Sequence, residues 1–215
     1  MKKICVFVGS RANYSSIKSV MRAVKAHSNL ELQVVLGASA ILDRFGKVED
    51  LIRKDGFEPD FIFHNIIEGD SPSTMAKSTG MGLMDASMIF NNLKPDILVV
   101  VGDRYEMMSV TLAAAYMNIL IVHTMGGEVT GTIDESIRHA ITKFAHIHFP
   151  ANEDSRERII KMGEDEKYVF NVGCPRTDLV AEELQNDSHE ILNDLFKTYG
   201  GVGSGFDLSQ PYLLV

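Results

Sequence analysis

The most restrictive feature of the sequence is an uninterrupted aliphatic run, Ile97–Val101, which reads ILVVV. A strand with one side in solvent alternates apolar and polar residues, whereas this run is apolar on both faces. Such a strand belongs inside a parallel sheet that helices cover on both sides. The run therefore predicts an α/β fold built on a buried parallel sheet.

Apolar runs and amphipathic segments alternate along most of the chain, which predicts a doubly wound parallel sheet with right-handed crossovers. Apolar positions that recur every three or four residues predict helices after the first five strands and again near 155–161. In this architecture ligands bind beyond the carboxyl ends of the strands. The predicted strands are residues 4–8, 31–36, 61–67, 97–101, 119–123, 147–149 and 168–172.

Composition excludes several classes of protein. The formal net charge of −8 over 215 residues disfavours binding to nucleic acid, whose phosphates an acidic surface repels. The first apolar run is too short for a secretion signal or a membrane span. Only Cys5 and Cys174 are present, without metal-ligand spacing, which favours a reducing compartment. We expect a cytoplasmic protein with no membrane partner and no cofactor.

The end of the chain differs from the rest. Residues 179–206 are polar and then glycine-rich, which is typical of a helical connector with a flexible joint. Residues 207–215 end in PYLLV, which resembles the beginning of another buried strand. The predicted organisation is therefore one domain over 1–178, a connector over 179–206, and the start of a truncated second domain at 207–215.

Charged residues follow two of the predicted strands. Gly9 and Arg11 come after the first strand, where a helix N-terminus and an arginine suit a phosphate. An ordinary turn with a solvated arginine explains them equally well. Asp103 follows Ile97–Val101, and a plain helix N-cap is its simple alternative.

A glycine-rich segment follows the fifth strand. His123 ends that strand, and Gly127 and Glu128 come soon after it. Adjacent glycines let the backbone approach a ligand closely, so we group His123 and Gly127 with the substrate-binding candidates. A flexible surface loop with a solvated glutamate is the alternative.

The predicted helix 132–144 has an apolar face of Ile133, Ile137, Ala140, Ile141 and Phe144. The opposite face carries Asp134, Glu135, Arg138, His139 and Thr142. An exposed Asp134–Arg138 pair explains that face simply. Because the helix starts at the ligand-binding edge, however, we expect Glu135 and Arg138 to face Asp103 and Glu128.

Together these positions bring carboxylates and arginines to one edge of the sheet. That combination indicates acid–base chemistry on a phosphorylated or nucleotide-linked ligand. His146 and His148 share a strand face, but no further ligands lie nearby in sequence, so we expect no metal site. The methionines of the helix at 74–93 are interpreted as packing residues.

The block GDRYEMMSVTLAAAYMNILIVHTMGGEVTGTIDESIRHAITKFAH resembles the core of hydrolysing UDP-N-acetylglucosamine 2-epimerases, especially the branch of the sialic and legionaminic acid pathways. The opening GSRANYSSIKSVM and the segment VGCPRTD are similar to other motifs of that branch. The resemblance implies two Rossmann-like domains in a glycosyltransferase-B arrangement, of which this chain is the N-terminal half. It also implies that the isolated fragment is weak or inactive, and that the complete protein is a homo-oligomer.

The resemblance further implies a two-step reaction without metal or nicotinamide. UDP leaves from UDP-N-acetylglucosamine to give a 2-acetamidoglucal, and water adds to form N-acetylmannosamine. By motif match Asp103, Glu128 and Glu135 form the acid–base set, while Arg11 and Arg138 stabilise the diphosphate or order the carboxylates. Three alternatives stay open: the same reaction on UDP-N,N′-diacetylbacillosamine, a non-catalytic sugar-nucleotide-binding domain, and a glycosyltransferase of the same architecture.

Overall fold

The computed structural model describes residues 1–69 and 71–185. Met1–Asp178 forms one compact unit, and the chain beyond it is a second unit. The predicted glycine-rich joint and second-domain strand lie outside the described residues. The predicted domain boundaries therefore stay predictions.

Six parallel strands form one sheet in the order β3-β2-β1-β4-β5-β6. The strands are β1 Lys2–Val8, β2 Leu30–Leu36, β3 Phe61–Ile62, β4 Ile97–Val101, β5 Leu120–Thr124 and β6 Ile147–Phe149. The helices are α1 Arg11–Ala26, α2 Val48–Lys54, α3 Pro72–Leu93, α4 Tyr105–Tyr116, α5 Ile133–Phe144, α6 Glu153–Lys161 and α7 Pro175–Gln185. The predicted doubly wound parallel sheet is confirmed.

The two faces of the sheet bury separate hydrophobic cores because side chains alternate along each strand. Cys5 and Phe7 of β1 pack with α3, α4 and the buried Ile141 of α5. Ile4, Val6 and Val8 point the other way and pack with α1 and α2. The aliphatic β4 contributes to both cores, as its uninterrupted run predicts.

The chain changes direction across the sheet between β1 and β4. These strands are neighbours, pairing Ile4 with Ile97 and Val6 with Val99. The helices that follow them, α1 and α4, cover opposite faces. Diverging crossovers leave a crevice beyond the carboxyl ends of two such strands, which is where ligands bind in open α/β sheets. The fold therefore places the segments after Val8 and Val101 side by side.

Two predicted strands are wrong in extent. The third is confined to Phe61–Ile62, after which the chain leaves the sheet, and Asn65 accepts a hydrogen bond from the Ala38 backbone at 2.8 Å. The predicted strand 168–172 is a single bridge between Val169 and His148, preceded by a 3-10 turn. In both segments β-branched and aromatic composition indicated a strand, but few partner positions are available at the ends of the sheet.

The predicted apolar face of α5 is also partly wrong. Ile133 and Phe144 are exposed, whereas Arg138 and Thr142 are buried with Ile141. The helix is rotated because Arg138 and Thr142 meet polar partners beneath it, described below. The packing role predicted for the α3 methionines likewise fails for Met75, Met84 and Met88, which are exposed.

In the described part of the chain, no helix is both long enough and apolar enough to cross a membrane.

Candidate active site

Two adjoining depressions lie beyond the carboxyl ends of β1, β4 and β5. The larger, about 930 Å³, is here called the main cleft, and the smaller, about 210 Å³, the acid cavity. Ala12 and Arg104 border both. The main cleft is lined by residues that include Arg11, Arg44, Met75, Tyr105 and Ile133. The acid cavity is lined by Asn13, Val101, Gly102, Asp103, Met125, Glu128, Arg138 and Arg176 in addition.

Arg138 organises the acid cavity from the first half of α5. Its side chain is only 4% exposed and forms an ion pair with Asp103. Its Nη1 donates a hydrogen bond of 2.7 Å to the backbone carbonyl of Glu128. Burial lowers the pKa of Arg138, and the neighbouring carboxylate offsets the cost of burying the guanidinium. The exposed Asp134–Arg138 pair considered from sequence is therefore wrong, and Arg138 joins the ends of β4 and β5.

Two of the predicted carboxylates share this cavity. Asp103 is held at the end of β4 by Arg138, with its side chain 24% exposed. Glu128 lies in the loop after β5, where the bond from Arg138 to its own carbonyl fixes the backbone. Glu128 lines the same cavity. The structure thus brings Asp103, Glu128 and Arg138 together.

Glu135 has a different setting. Its Oε2 accepts hydrogen bonds of 2.7 Å from the backbone N–H groups of Gly131 and Thr130. These bonds lower the pKa of Glu135 and keep it anionic. Thr132 is the N-cap of α5 and Glu135 is its third residue, the spacing of a capping box. Glu135 therefore anchors the loop that carries Glu128 and is not among the residues that line the acid cavity.

His123 does not reach either depression. Its ring is fully buried, with Nε2 2.8 Å from the carbonyl of Gly102 and Nδ1 3.2 Å from the Thr142 hydroxyl. Burial lowers its pKa to about 4, so the ring is neutral and Nε2–H donates to Gly102. His123 thus supports the backbone next to Asp103 from below, and its predicted contact with substrate stays a prediction.

Gly9 and Gly127 are required by packing within the protein. A Cβ at Gly127 would lie 2.4 Å from the Ser155 carbonyl oxygen, where α6 crosses the loop. A Cβ at Gly9 would lie 2.8 Å from Cγ of Glu106. Both residues are buried, so packing within the protein accounts for each glycine, and their predicted contact with substrate stays a prediction.

Arg11 is exposed in the main cleft as the first residue of α1. Ser10 caps that helix by accepting a 3.2 Å hydrogen bond from the Asn13 backbone. Arg104 and Arg44 line the same cleft, and Arg44 pairs there with Glu68 at 3.3 Å, so three arginines and one acid border this depression. This set suits an anion with several charges, such as a diphosphate.

Sequence reasoning missed several residues that the structure brings to the site. Arg104 pairs with the buried Glu106, and Arg176 reaches the acid cavity while its Nε donates to Ser16 Oγ at 2.6 Å. Asp134, interpreted from sequence as a surface residue, is close enough to help raise the pKa of Arg104. Arg104 and Arg176 belong to GDRYE and VGCPRTD, two segments that resemble family motifs. The sequence therefore contained a signal for both arginines, but nothing in it showed where their side chains point.

A metal site does not emerge among residues 1–69 and 71–185, where no three His, Cys, Asp or Glu side chains cluster suitably. The two candidate histidines serve other roles. His146 Nδ1 accepts a 3.1 Å hydrogen bond from the Ile121 backbone, and His148 Nε2 lies 3.4 Å from Glu164.

Comparison with known proteins places these residues in a family context. A family model described as UDP-N-acetylglucosamine 2-epimerase matches residues 22–202. A Legionella pneumophila UDP-N,N′-diacetylbacillosamine 2-epimerase (hydrolyzing) is 32% identical over all of this chain and 55% of its own length. A Campylobacter jejuni GDP/UDP-N,N′-diacetylbacillosamine 2-epimerase (hydrolyzing) is 35% identical over 83% of this chain and 47% of its own.

A UDP-N-acetylglucosamine 2-epimerase of Neisseria meningitidis is 29% identical over 89% of this chain and 50% of its own length. The chain thus spans about half the length of these curated relatives. A crystal structure of a UDP-GlcNAc 2-epimerase from Neisseria meningitidis, bound to UDP-GlcNAc, is similar in fold, with a TM-score of 0.78 at 19% identity. That similarity covers 95% of this chain and 55% of the other.

Replacing Gly127 with alanine is expected to destabilise the protein by about 3 kcal/mol or more, because the added methyl meets backbone at an already left-handed φ of +80°. Gly131 provides the matched control, since its φ is +71° but open space surrounds it. Gly131→Ala should cost about 1 kcal/mol. Denaturant unfolding measures both, and equal losses would contradict the packing argument.

The buried His123 predicts a pH-dependent stability. Its folded pKa of about 4 lies below the ordinary 6.5, so the unfolded state takes up the proton first as pH falls. The free energy of unfolding should decrease between pH 6.5 and 4, by at most about 1.4 kcal/mol per pH unit. His123→Gln keeps a donor for Gly102 but removes this proton uptake. Parallel stability curves for the two proteins would show that His123 does not contribute.

Proposed function

The chain belongs to the UDP-N-acetylglucosamine 2-epimerase family, and we propose that it supplies the acid–base half of a hydrolysing 2-epimerase. The enzyme converts UDP-N-acetylglucosamine to N-acetylmannosamine and UDP. Because the chain spans about half the length of its relatives, the proposed active site is completed by a second domain. We further propose that the complete protein is cytoplasmic and homo-oligomeric.

The observation that carries this proposal is the acid cavity itself. Inversion at C2 requires removal of a proton from one face of the sugar and delivery of a proton to the other, so one base is insufficient. Asp103 and Glu128 share one cavity, and Arg138 fixes the backbone or side chain of each. A domain that only bound UDP, or a transferase acting on an acceptor, would not need this pair of carboxylates.

The first step is elimination. The C1–O bond breaks and its electron pair leaves with UDP, while a carboxylate takes the C2 proton and the C–H electrons form the C1–C2 double bond. Negative charge grows on the β-phosphate as the bond breaks. Arg11, which lines the main cleft, stabilises that charge, and Arg104, which lines the same cleft, binds the diphosphate both before and during the cleavage. Binding the diphosphate is therefore the role that we propose for the exposed arginines of the main cleft.

The second step is hydration of the 2-acetamidoglucal. The base of the first step releases its proton to solvent and then accepts a proton from the water that adds at C1. The other carboxyl group of the Asp103–Glu128 pair, protonated from solvent, delivers its proton to C2 on the face opposite to the first removal. Glu135 holds the loop that presents Glu128, and its proposed acid–base role depends on movement away from the Thr130 and Gly131 amides.

UDP-N,N′-diacetylbacillosamine is the second candidate substrate. The observation that favours it is the name of two relatives at 32% and 35% identity, both hydrolysing epimerases of that sugar. The two substrates differ at C4 and C6 and share the diphosphate and the 2-acetamido group. The chemistry at C1 and C2 is therefore the same for both.

Removal of either carboxylate should abolish most turnover. In the protein expressed from its complete reading frame, Asp103→Asn and Glu128→Gln should each lower kcat about 100-fold or more, because each removes a proton-transfer group. UDP release measures the effect. Glu157→Gln, which breaks an exposed pair with Lys161, is the control and should keep full activity. Wild-type turnover in both cavity variants would refute the proposal.

Glu135→Gln separates two roles. The glutamine oxygen still accepts from the loop N–H groups, so the loop anchor is largely preserved while the acid–base group is lost. We expect a loss of kcat comparable to that of Glu128→Gln. A loss below about tenfold would instead assign Glu135 to loop anchoring alone.

The substrate is decided by direct comparison. The complete protein is incubated separately with each UDP-sugar, UDP release is followed, and the sugar product is identified by NMR. We expect the higher kcat/KM with UDP-N-acetylglucosamine and N-acetylmannosamine as its product. A higher kcat/KM with UDP-N,N′-diacetylbacillosamine would select the second candidate, and release of UDP from neither would reject the function.

A further inference from the structure

The buried carboxylate of Glu106 has no part in the proposed reaction. Glu106 lies in the first turn of α4 with no exposed surface. Its Oε1 accepts a hydrogen bond from Nε of Arg104 at 2.5 Å. Its Oε2 is buried and has no hydrogen-bond partner among residues 1–69 and 71–185. A glutamate in such a position needs a reason, because burying a carboxylate is costly.

The space that Glu106 occupies excludes a side chain at residue 9. A Cβ at residue 9 would lie 2.8 Å from Cγ of Glu106, so only glycine fits after β1. Glu106 therefore sits beside the residue that follows β1, between the carboxyl ends of the neighbouring strands β1 and β4. Burial raises its pKa, and the charge and hydrogen bond of Arg104 act in the opposite direction.

Arg104 is the partner that gains from this arrangement. It borders both the main cleft and the acid cavity, and 45% of its side chain is exposed. Glu106 binds the Nε edge of the guanidinium, and the Tyr105 ring lies 5.9 Å from its central carbon. A long side chain at the rim of a cleft samples many rotamers, and this ion pair restricts them. In this pair Glu106 is the buried anchor, and Arg104 is the partly exposed group that can contact a ligand.

We propose that Glu106 is a positioning residue, which fixes Arg104 at the boundary of the two depressions so that Arg104 binds the diphosphate of the UDP-sugar. The identity of that ligand rests on the proposed function. The fixing of Arg104 by Glu106 rests on geometry alone. Because a diphosphate contact is made before and during C–O cleavage, loss of the anchor should appear mainly in KM.

A double-variant cycle in the protein expressed from its complete reading frame tests the proposal. Glu106→Leu fills the buried space without an acceptor and should raise KM for the UDP-sugar about tenfold, with a smaller change in kcat. Arg104→Gln should raise KM at least as much. The double variant should match Arg104→Gln within about twofold, because Glu106 acts through Arg104. Unchanged KM in Glu106→Leu, or additive effects in the double variant, would overturn the proposal.

Two further variants separate positioning from general destabilisation. Glu106→Gln keeps an oxygen that accepts from Arg104 Nε, so its KM should rise less than that of Glu106→Leu; an equal rise contradicts the anchor. If the leucine protein fails to fold, Glu106→Ala, which also removes the acceptor, takes its place in the cycle. Glu49→Gln removes the acid of an Arg–Glu pair on α2, away from both depressions, and should leave KM unchanged.

A readout without turnover keeps this proposal distinct from the proposed function. In the 215-residue chain, the Nε–H resonance of Arg104 should exchange slowly with water and should lose that protection in Glu106→Leu. The same resonance should shift on addition of UDP. An unprotected resonance, or one that UDP leaves unchanged, overturns the positioning role. Failure of the complete protein to act on either UDP-sugar would instead reject the proposed function.

Discussion

The site depends on one buried cation. Arg138 comes from α5, yet its guanidinium pairs with Asp103 after β4 and donates to the carbonyl of Glu128 after β5. Three segments distant in sequence are joined by a single side chain that is almost entirely out of water. Without it Asp103 would lose its ion pair, and the glycine-rich loop would lose the contact that holds its backbone at Glu128. The rotation of α5 away from its predicted apolar face is the structural consequence.

Other polar contacts extend this anchoring to the surrounding backbone. His123 supports Gly102 from beneath, Glu135 ties down Thr130 and Gly131, and Glu106 holds Arg104. Each of these groups is a buried or hydrogen-bonded side chain that fixes a neighbour in or next to the two depressions. In the proposed reaction the exposed arginines supply charge, and the two carboxylates of the acid cavity supply proton transfer. Fixed groups of this kind stabilise a transition state without reorganising during the reaction.

Sequence alone predicted the sheet, the edge that carries the site, and the meeting of Asp103 with Arg138, because these follow from strand periodicity and parallel topology. It failed where tertiary contacts override local pattern. The sequence pattern placed Ile133 in the core. In the structure Ile133 is exposed, because α5 is turned so that Arg138 reaches its polar partners. His123 and Gly127 were predicted to be ligand contacts. In the structure the buried His123 ring bonds the Gly102 backbone, and the absence of a side chain at Gly127 lets α6 pack against the loop. Arg104 and Glu106 went unnoticed because nothing in sequence distinguishes a buried carboxylate from an exposed one.

The central claim is that one of Asp103 and Glu128 removes the C2 proton of a UDP-linked 2-acetamido sugar, and the other delivers a proton to the opposite face of C2. Reaction in deuterium oxide tests this claim most directly, with NMR and mass analysis of the released sugar from the complete protein. The account predicts N-acetylmannosamine with deuterium at C2 in every product molecule, because a carboxylic acid that has exchanged with solvent delivers that atom. A sugar released with its original C2 hydrogen would contradict it.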